Sequence, residues 1–315
     1  MASARATRDG FGDGLIELGK INPNVVVLSA DLTDSTRASW FKERYPERFF
    51  GMGVAEQDMI SAAAGFALAG KIPFACTFGV FASGRAWDQI RISVAYMNLK
   101  VIIVGTHGGI SVGQDGATHQ ALEEITLMRV LPNMAVVVPC DSIEAKKATI
   151  EAASYAGPVY LRLGRDPAPT ITKDTDPFKI GKANVIKDGE DVSIIACGVM
   201  VNEAMLACDL LQKDGISARV INLHSPKPLD EAVILKAAKE TLAIVTAEEH
   251  TLAGGMGSAV SEFVGSNYPV PIKMIGVKNK FGESGKPEEL FDKFKLRAKD
   301  IAQAAKESIK LKKSR

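Results

Sequence analysis

Short apolar runs alternate with longer segments of mixed polarity through the first half of the chain. The runs predict strands at residues 25–30, 73–78, 101–106, 135–139 and 159–163. Apolar residues at helical spacing predict helices at 2–20, 40–45, 83–97, 123–130 and 142–155, with a further helix that begins at Glu56. Apolar strands separated by helices are typical of a parallel sheet that helices cover on both faces. The pattern therefore predicts an α/β fold.

The same alternation restarts after residue 187. The segment before it contains Pro167, Pro169 and Pro177, which favours a linker or an edge segment. Beyond it we predict strands at 192–197, 218–223, 242–246 and 272–277, and helices at 201–214, 230–239, 257–264 and from 287 onward. We therefore predict two domains, each a mostly parallel sheet flanked by helices, at residues 1–168 and 188–315 with a linker at 169–187.

Residues with useful chemistry follow several of the predicted strands of the first domain. Asp31, Phe78, His107 and Arg165 each lie at or just beyond the carboxyl end of a strand. Ligands of open parallel sheets bind at that edge. We therefore expect these side chains to lie on one edge of the sheet and to form a site.

A glycine pair precedes Glu56, which opens a helix rich in alanine and ending near Gly70. Small and apolar residues at helical spacing predict that this helix is buried. A carboxylate at its start has two interpretations. It complements the positive end of the helix dipole, or it is a buried functional charge that needs a partner.

The loop at residues 107–120 (HGGISVGQDGATHQ) combines glycines with His107, Asp115 and His119. Glycines allow the main chain to approach a ligand closely. Two histidines and an aspartate in one glycine-rich loop at the carboxyl edge favour a binding or catalytic site over a surface loop.

Composition limits the classes of function. The chain has 315 residues, a formal net charge of +1, 46% hydrophobic residues and 24% charged residues. The charge argues against a nucleic-acid footprint, and no apolar run approaches the length of a membrane span. The four cysteines are far apart and form no metal-binding pair, which is typical of reduced thiols in a cytoplasmic protein.

Motifs from both halves together resemble the C-terminal half of enzymes of the transketolase family. They are 53–57 (GVAEQ), 77–81 (TFGVF), 113–120 (GQDGATHQ), 131–134 (LPNM), 163–165 (LGR), 276–278 (GVK) and 281–285 (FGESG). The resemblance runs in order along nearly the whole chain. It implies a pyrimidine-binding domain that takes thiamine diphosphate, followed by the family's C-terminal domain.

The resemblance also implies roles for the residues of the cofactor site. Glu56 corresponds to the glutamate that hydrogen-bonds the pyrimidine N1′ of the cofactor and so favours the tautomer that acts as a base. Phe78 and Phe81 resemble the aromatic residues that stack on the pyrimidine or wall its pocket. His107 and His119 resemble the histidines that bind sugar oxygens and move protons, which gives both a catalytic role.

Further residues are similar to those that bind substrate in the family. Asp115 resembles the aspartate that binds the C2 hydroxyl of the acceptor aldose. Arg165, Arg8 and Ser35 correspond to residues that hold the sugar phosphate, and the guanidinium group suits a phosphate. Asp31 is expected to approach the thiamine side of the site.

The chain lacks the segments that hold the diphosphate in this family. There, Mg²⁺ is held by a Gly-Asp-Gly segment and a later asparagine pair. Residues 12–14 (GDG) imitate the first part, but no asparagine pair follows and they fall inside a predicted helix. The resemblance therefore implies a split enzyme whose partner, an N-terminal transketolase subunit, supplies the Mg²⁺ ligands in a heterotetramer of two plus two chains.

The implied activity is that of a transferase of the pentose phosphate pathway, which moves a two-carbon ketol unit between sugar phosphates. Two alternatives share the fold: a 1-deoxyxylulose-5-phosphate synthase, whose family lacks a histidine at the place of His107, and the beta subunit of a 2-oxo-acid dehydrogenase, which lacks the loop seen at 115–119. A dinucleotide-binding oxidoreductase is disfavoured because no strand leads into G-x-G-x-x-G. A non-catalytic interaction subunit stays open, because half a site cannot act alone.

Overall fold

Strands and helices alternate along the chain, and the computed structural model describes residues 4–313. The strands are β1 (Arg5–Ala6), β2 (Val25–Ser29), β3 (Phe49–Gly51), β4 (Ile72–Phe78), β5 (Ile102–Thr106), β6 (Ala135–Val137), β7 (Val159–Arg162), β8 (Pro167–Ala168), β9 (Asn184–Lys187), β10 (Val192–Ala196), β11 (Ala218–Asn222), β12 (Ile244–Thr251) and β13 (Ile272–Val277). The helices are α1 (Thr7–Ile21), α2 (Ala38–Arg44), α3 (Glu56–Leu68), α4 (Trp87–Gln89), α5 (Glu124–Arg129), α6 (Ser142–Ser154), α7 (Met200–Lys213), α8 (Glu231–Thr241), α9 (Met256–Asn267), α10 (Pro287–Lys293) and α11 (Ala298–Lys313). Wider π-helical turns, Phe81–Arg85 and Ile90–Tyr96, flank α4.

The first sheet is entirely parallel, with the strand order β3-β2-β4-β5-β7-β6. In one row across it, Val27 pairs with Phe74, Phe74 with Ile102, and Ile102 with Val159. These four side chains are fully buried. Their face packs against α1 and α6, while the opposite face packs against α3. This confirms the parallel α/β fold predicted for the first half of the chain.

The second sheet has the order β13-β12-β10-β11-β9, and its strands are parallel except for β9. β9 pairs antiparallel with β11 at the edge of the sheet. The last four residues of the segment predicted as the 169–187 linker are therefore part of the second sheet. β9 has only two apolar residues, Val185 and Ile186, between Asn184 and Lys187, and this run is too short to be recognised as a strand in the sequence.

Helix α3 is only partly buried, which corrects the expectation of a buried helix. Met59, Ile60 and Ala63 are fully buried, whereas Gly65 and Leu68 are exposed. The exposed side is built mainly from small or polar side chains, so periodicity alone does not distinguish it from a buried side. α3 packs beside the Ile90–Tyr96 turns, where further apolar residues are exposed.

The four cysteines are buried and free. Within residues 4–313, no helix is both long enough and apolar enough to cross a membrane.

Candidate active site at the carboxyl edge of the first sheet

The parallel pairing brings the carboxyl ends of β2, β4, β5 and β7 to one edge, as the sequence predicts. Phe78 is the last residue of β4, and His107 directly follows β5. Arg165 lies three residues beyond the end of β7. α3 begins at the same edge, because the chain turns from β3 directly into it.

Glu56 is the first residue of α3 and only 1% of its surface is exposed. The Nη1 of Arg85 donates to both of its carboxylate oxygens, at 3.0 and 2.8 Å. The partner that a buried carboxylate requires is therefore an arginine of the same chain. Sequence analysis missed Arg85, because it lies in a π-helical turn 29 residues from Glu56 and no local pattern joins the two.

Aromatic and imidazole rings form a continuous cluster next to this ion pair. The guanidinium of Arg85 lies over the ring of Phe81, 4.6 Å from its centroid. Phe81 stacks with Phe78 at 5.9 Å, and Phe78 stacks on His107 at 3.7 Å. His119 meets the edges of Phe81 and Phe78, at 5.6 and 6.2 Å. The sequence-predicted residues Glu56, Phe78, Phe81, His107 and His119 are thus brought together.

His107 is buried and its backbone is in the left-handed region, with φ at 58°. Its Nδ1 lies 3.0 Å from the hydroxyl of Thr106, which fixes the ring against β5. Burial lowers the pKa of His107 to about 3, and the positive charges of Arg8 and Arg165 act in the same direction. The imidazole is therefore neutral near pH 7 and is suited to exchange a hydrogen bond with a polar ligand.

Arginines lie on the other side of His107. Arg165 donates from Nη1 to the carboxylate of Asp115 and to the carbonyl oxygen of Val112, both at 3.0 Å. Arg8 donates to the carbonyl oxygen of Ser35 at 2.8 Å, and its Nε is buried without a hydrogen-bond partner. Burial lowers the pKa of Arg8, and Arg37 adds to this effect. A buried, unpartnered guanidinium N–H beside further positive charge is suited to an anion.

Two of the sequence-predicted residues are less closely integrated into the site. Ser35 meets Arg8 through its main-chain carbonyl. Asp31 is exposed two residues beyond β2, with φ at 57°, and takes part in none of the ring and ion-pair contacts described above. Their roles as phosphate-binding and cofactor-binding residues stay predictions.

The residues 12–14 lie in the middle of α1, as predicted, and serve packing. A Cβ at Gly12 would lie 2.4 Å from the ring of Trp40, and Asp13 pairs with Arg5 at 2.8 Å. Within residues 4–313, no group of three or more His, Cys, Asp or Glu side chains is placed to hold a metal ion.

The chain matches two family profiles in sequence order. "Transketolase, pyrimidine binding domain" covers residues 3–170, and "Transketolase, C-terminal domain" covers residues 181–301. The fold and the edge site thus define a two-domain α/β protein with a pyrimidine-binding domain first. The chain belongs to the transketolase family, and within it to the C-terminal subunits of split transketolases.

Relatives agree with this assignment. The chain is 46% identical over 309 residues to the "Putative transketolase C-terminal section" of Methanocaldococcus jannaschii, covering 97% of both proteins. It is 44% identical to the "6-deoxy-6-sulfo-D-fructose transketolase subunit SqwH" of Clostridium sp., covering 95% of this chain and 93% of that protein. Human "Transketolase" is 36% identical over 305 residues, which are 96% of this chain but 48% of the human protein.

A solved structure described as "Split gene transketolase, inactive beta4 tetramer" superposes with a TM-score of 0.92 at 46% identity. The match covers 98% of this chain and 99% of that one.

The family depends on thiamine diphosphate, and the residues at the edge fit the pyrimidine part of that cofactor. Glu56 offers a buried carboxylate, and Phe78 and Phe81 offer aromatic faces within the same cluster. A flat heteroaromatic ring with a hydrogen-bonding nitrogen matches these two features.

Proposed function

We propose that this chain supplies the pyrimidine-binding half of a transketolase site and moves a two-carbon ketol unit from a ketose phosphate to an aldose phosphate. The observation that carries the proposal is the contact series from Glu56 through Arg85 and Phe81 to His119, with Phe78 and His107 stacked beside it. It joins a buried carboxylate to two imidazoles on one edge.

Glu56 acts on the cofactor's pyrimidine in this proposal. When bound, thiamine diphosphate supplies the carbon nucleophile that attacks the ketose carbonyl. The carboxyl group of Glu56 shares a proton with the pyrimidine N1′, and the low exposure of Glu56 keeps water from competing for that hydrogen bond. For this contact to form, Arg85 has to give up its hydrogen bond to one of the two carboxylate oxygens of Glu56. Its side chain is half-exposed and has room to move.

The histidines and arginines bind the sugar. His107 is neutral near pH 7, so it can accept or donate a hydrogen bond at a substrate oxygen. His119 lies at the other end of the 107–120 loop and moves a proton at the same oxygens. Arg165 and Arg8 hold the phosphate, while Asp115 binds a hydroxyl of the acceptor and is held in place by Arg165.

The proposed enzyme needs a second type of chain. The described residues contain no cluster of metal ligands, and the relatives of similar length are named as a section or a subunit. We infer that an N-terminal-type subunit binds the diphosphate and Mg²⁺, in an assembly of two plus two chains. Self-association uses the side of α3 and the neighbouring turns, where Val54, Leu68 and Tyr96 are 71%, 64% and 83% exposed.

Reconstitution tests the proposal. Ketol transfer from xylulose 5-phosphate to ribose 5-phosphate, with thiamine diphosphate and Mg²⁺, is measured for this chain alone and with the N-terminal-type chain from the same source. We expect activity only in the mixture. Activity of the chain alone would contradict the need for a partner. No ketol transfer by the mixture, either with these substrates or with 6-deoxy-6-sulfo-D-fructose, the sugar named for one relative, would contradict the proposed activity.

A further inference from the structure

A buried carboxyl group of the second domain contacts the candidate substrate loop of the first. β12 continues through Glu248, Glu249 and His250, which are all almost completely buried. The main-chain N–H of Ser111, in the 107–120 loop, donates to the carboxylate Oε1 of Glu249. The carbonyl oxygen of Glu249 in turn accepts a 2.7 Å hydrogen bond from Nη2 of Arg162. A carboxylate of one domain thus holds the main chain of a loop of the other.

The loop lies close against this carboxylate. A Cβ at Gly109 would stand 2.3 Å from Cδ of Glu249, and φ of Gly109 is +91°. Both the space and the backbone conformation therefore require glycine at this position. The contact is built into the loop, because a side chain at residue 109 would push the loop off Glu249.

The opposite side of the same stretch is held by Arg165. We call residues 109–116 the acceptor segment, because it contains Asp115. Arg165 donates to the carbonyl of Val112 and to the carboxylate of Asp115, both at 3.0 Å. The acceptor segment is thus held between a carboxylate of the second domain and a guanidinium of the first. Ser111 and Val112, which carry the two contacts, are adjacent.

We infer that Glu249 is a positioning residue for the acceptor aldose, through which the second domain sets the place of the acceptor segment and hence of Asp115. The inference rests on the proposed function for the identity of the substrate, and on the Glu249–Ser111 contact for the positioning itself. The hydrogen bonds described above join Glu249 to Ser111 and Arg162 and not to the rings of the aromatic and histidine cluster. Loss of Glu249 should therefore affect acceptor binding and leave donor consumption unchanged.

Hydrogen exchange of the full chain tests the positioning independently of activity. Glu248→Gln is the matched control, because Glu248 lies next to Glu249 but accepts from the N–H groups of Met256 and Gly257 within its own domain. Burial raises the pKa of Glu249 to about 7, so exchange is measured at pH 8, where its carboxylate is charged. A neutral acceptor is about half as strong as a charged one, so Glu249→Gln should speed exchange in the acceptor segment about threefold over that control. Glu249→Ala removes the acceptor and should speed it about tenfold or more. Exchange in Glu249→Gln equal to that in Glu248→Gln would overturn the inference.

Kinetics of the reconstituted complex separate positioning from general destabilisation. Glu249→Ala should raise KM for ribose 5-phosphate about tenfold, while consumption of xylulose 5-phosphate with ferricyanide as the electron acceptor stays within about twofold of the wild type. An equal loss in both assays would mean a structural role only. If the wild-type complex transfers no ketol unit, the proposed function fails, whereas the exchange experiment still decides the positioning.

Discussion

The ion pair of Glu56 and Arg85 permits a quantitative prediction. Glu56 is 1% exposed, so Arg85→Met leaves a carboxylate that water hardly reaches. A hydrogen bond to a charged group contributes about 1.5–3 kcal/mol, and breaking a fully buried pair costs about 3–5 kcal/mol. Two features reduce the loss of stability. Arg85 is 48% exposed, and the start of α3 favours a negative charge by about 0.3–1 kcal/mol. We expect Arg85→Met to lower the free energy of unfolding by about 2 kcal/mol.

A double-mutant cycle measures the pair itself. Wild type, Arg85→Met, Glu56→Gln and the double variant are unfolded in urea at one protein concentration, since association changes apparent stability. With the carboxylate already neutralised, Arg85→Met should cost much less, so the coupling free energy should be about 1.5 kcal/mol. Arg44→Met, at the exposed end of α2, is the control for loss of an arginine charge. Coupling below about 0.4 kcal/mol, within the range of additive sites, would refute the reasoning.

Three further predictions concern Arg165, His107 and Arg162. Arg165→Gln should raise KM for the sugar phosphates about tenfold or more with kcat within about threefold, in steady-state assays of the complex; an unchanged KM would exclude a phosphate contact. The unfolded chain takes up a proton at His107 near pH 6.5, whereas the folded chain does so only near pH 3. As the pH falls below 6.5, the free energy of unfolding of the wild type should therefore decrease by about 1.4 kcal/mol per pH unit relative to that of His107→Gln, as measured by urea unfolding. The same dependence on pH in both proteins would contradict the lowered pKa of His107. Arg162→Met leaves Glu124 buried and unpaired and should cost about 3–5 kcal/mol in urea unfolding, whereas a loss below about 1 kcal/mol would refute this.

The placement of the site could be predicted from sequence because it follows from topology alone. Continuous apolar runs indicate parallel strands, and parallel strands bring their carboxyl ends to one edge. Phe78, His107 and Arg165 follow three different strands, and this rule is enough to bring them together. The ion pair of Arg165 with Asp115 was not predicted, because the direction of a side chain in the 107–120 loop does not follow from strand order.

The partner of Glu56 could not be predicted in the same way. Arg85 lies in a π-helical turn, where residues are spaced differently from an α-helix, so apolar periodicity does not give its direction. The strand β12 was also underestimated, as 242–246, because Glu248, Glu249 and His250 end the apolar run without ending the strand. Their burial depends on partners from distant parts of the chain, such as Ser111 and Arg162. Local sequence does not contain that information.

The exposed side of α3 has a related explanation. Ala62, Ala63, Phe66 and Ala67 predict a buried helix, and all four are buried or half-buried. On the other side Gln57, Ser61, Gly65 and Leu68 are exposed. The apolar spacing therefore identifies the buried side of α3 but overestimates how much of the helix is covered.

Glu56→Gln in the reconstituted complex tests most directly whether Glu56 activates the cofactor. Glutamine keeps the size and removes the carboxyl proton, so we expect ketol transfer to fall about 10²–10⁴-fold. Size-exclusion chromatography checks that the assembly persists, and Glu262→Gln, an exposed glutamate of α9, should retain full activity. Loss of transfer in an intact complex is the predicted result. Wild-type turnover by Glu56→Gln would contradict the role of Glu56 and favour a chain that contributes only to assembly.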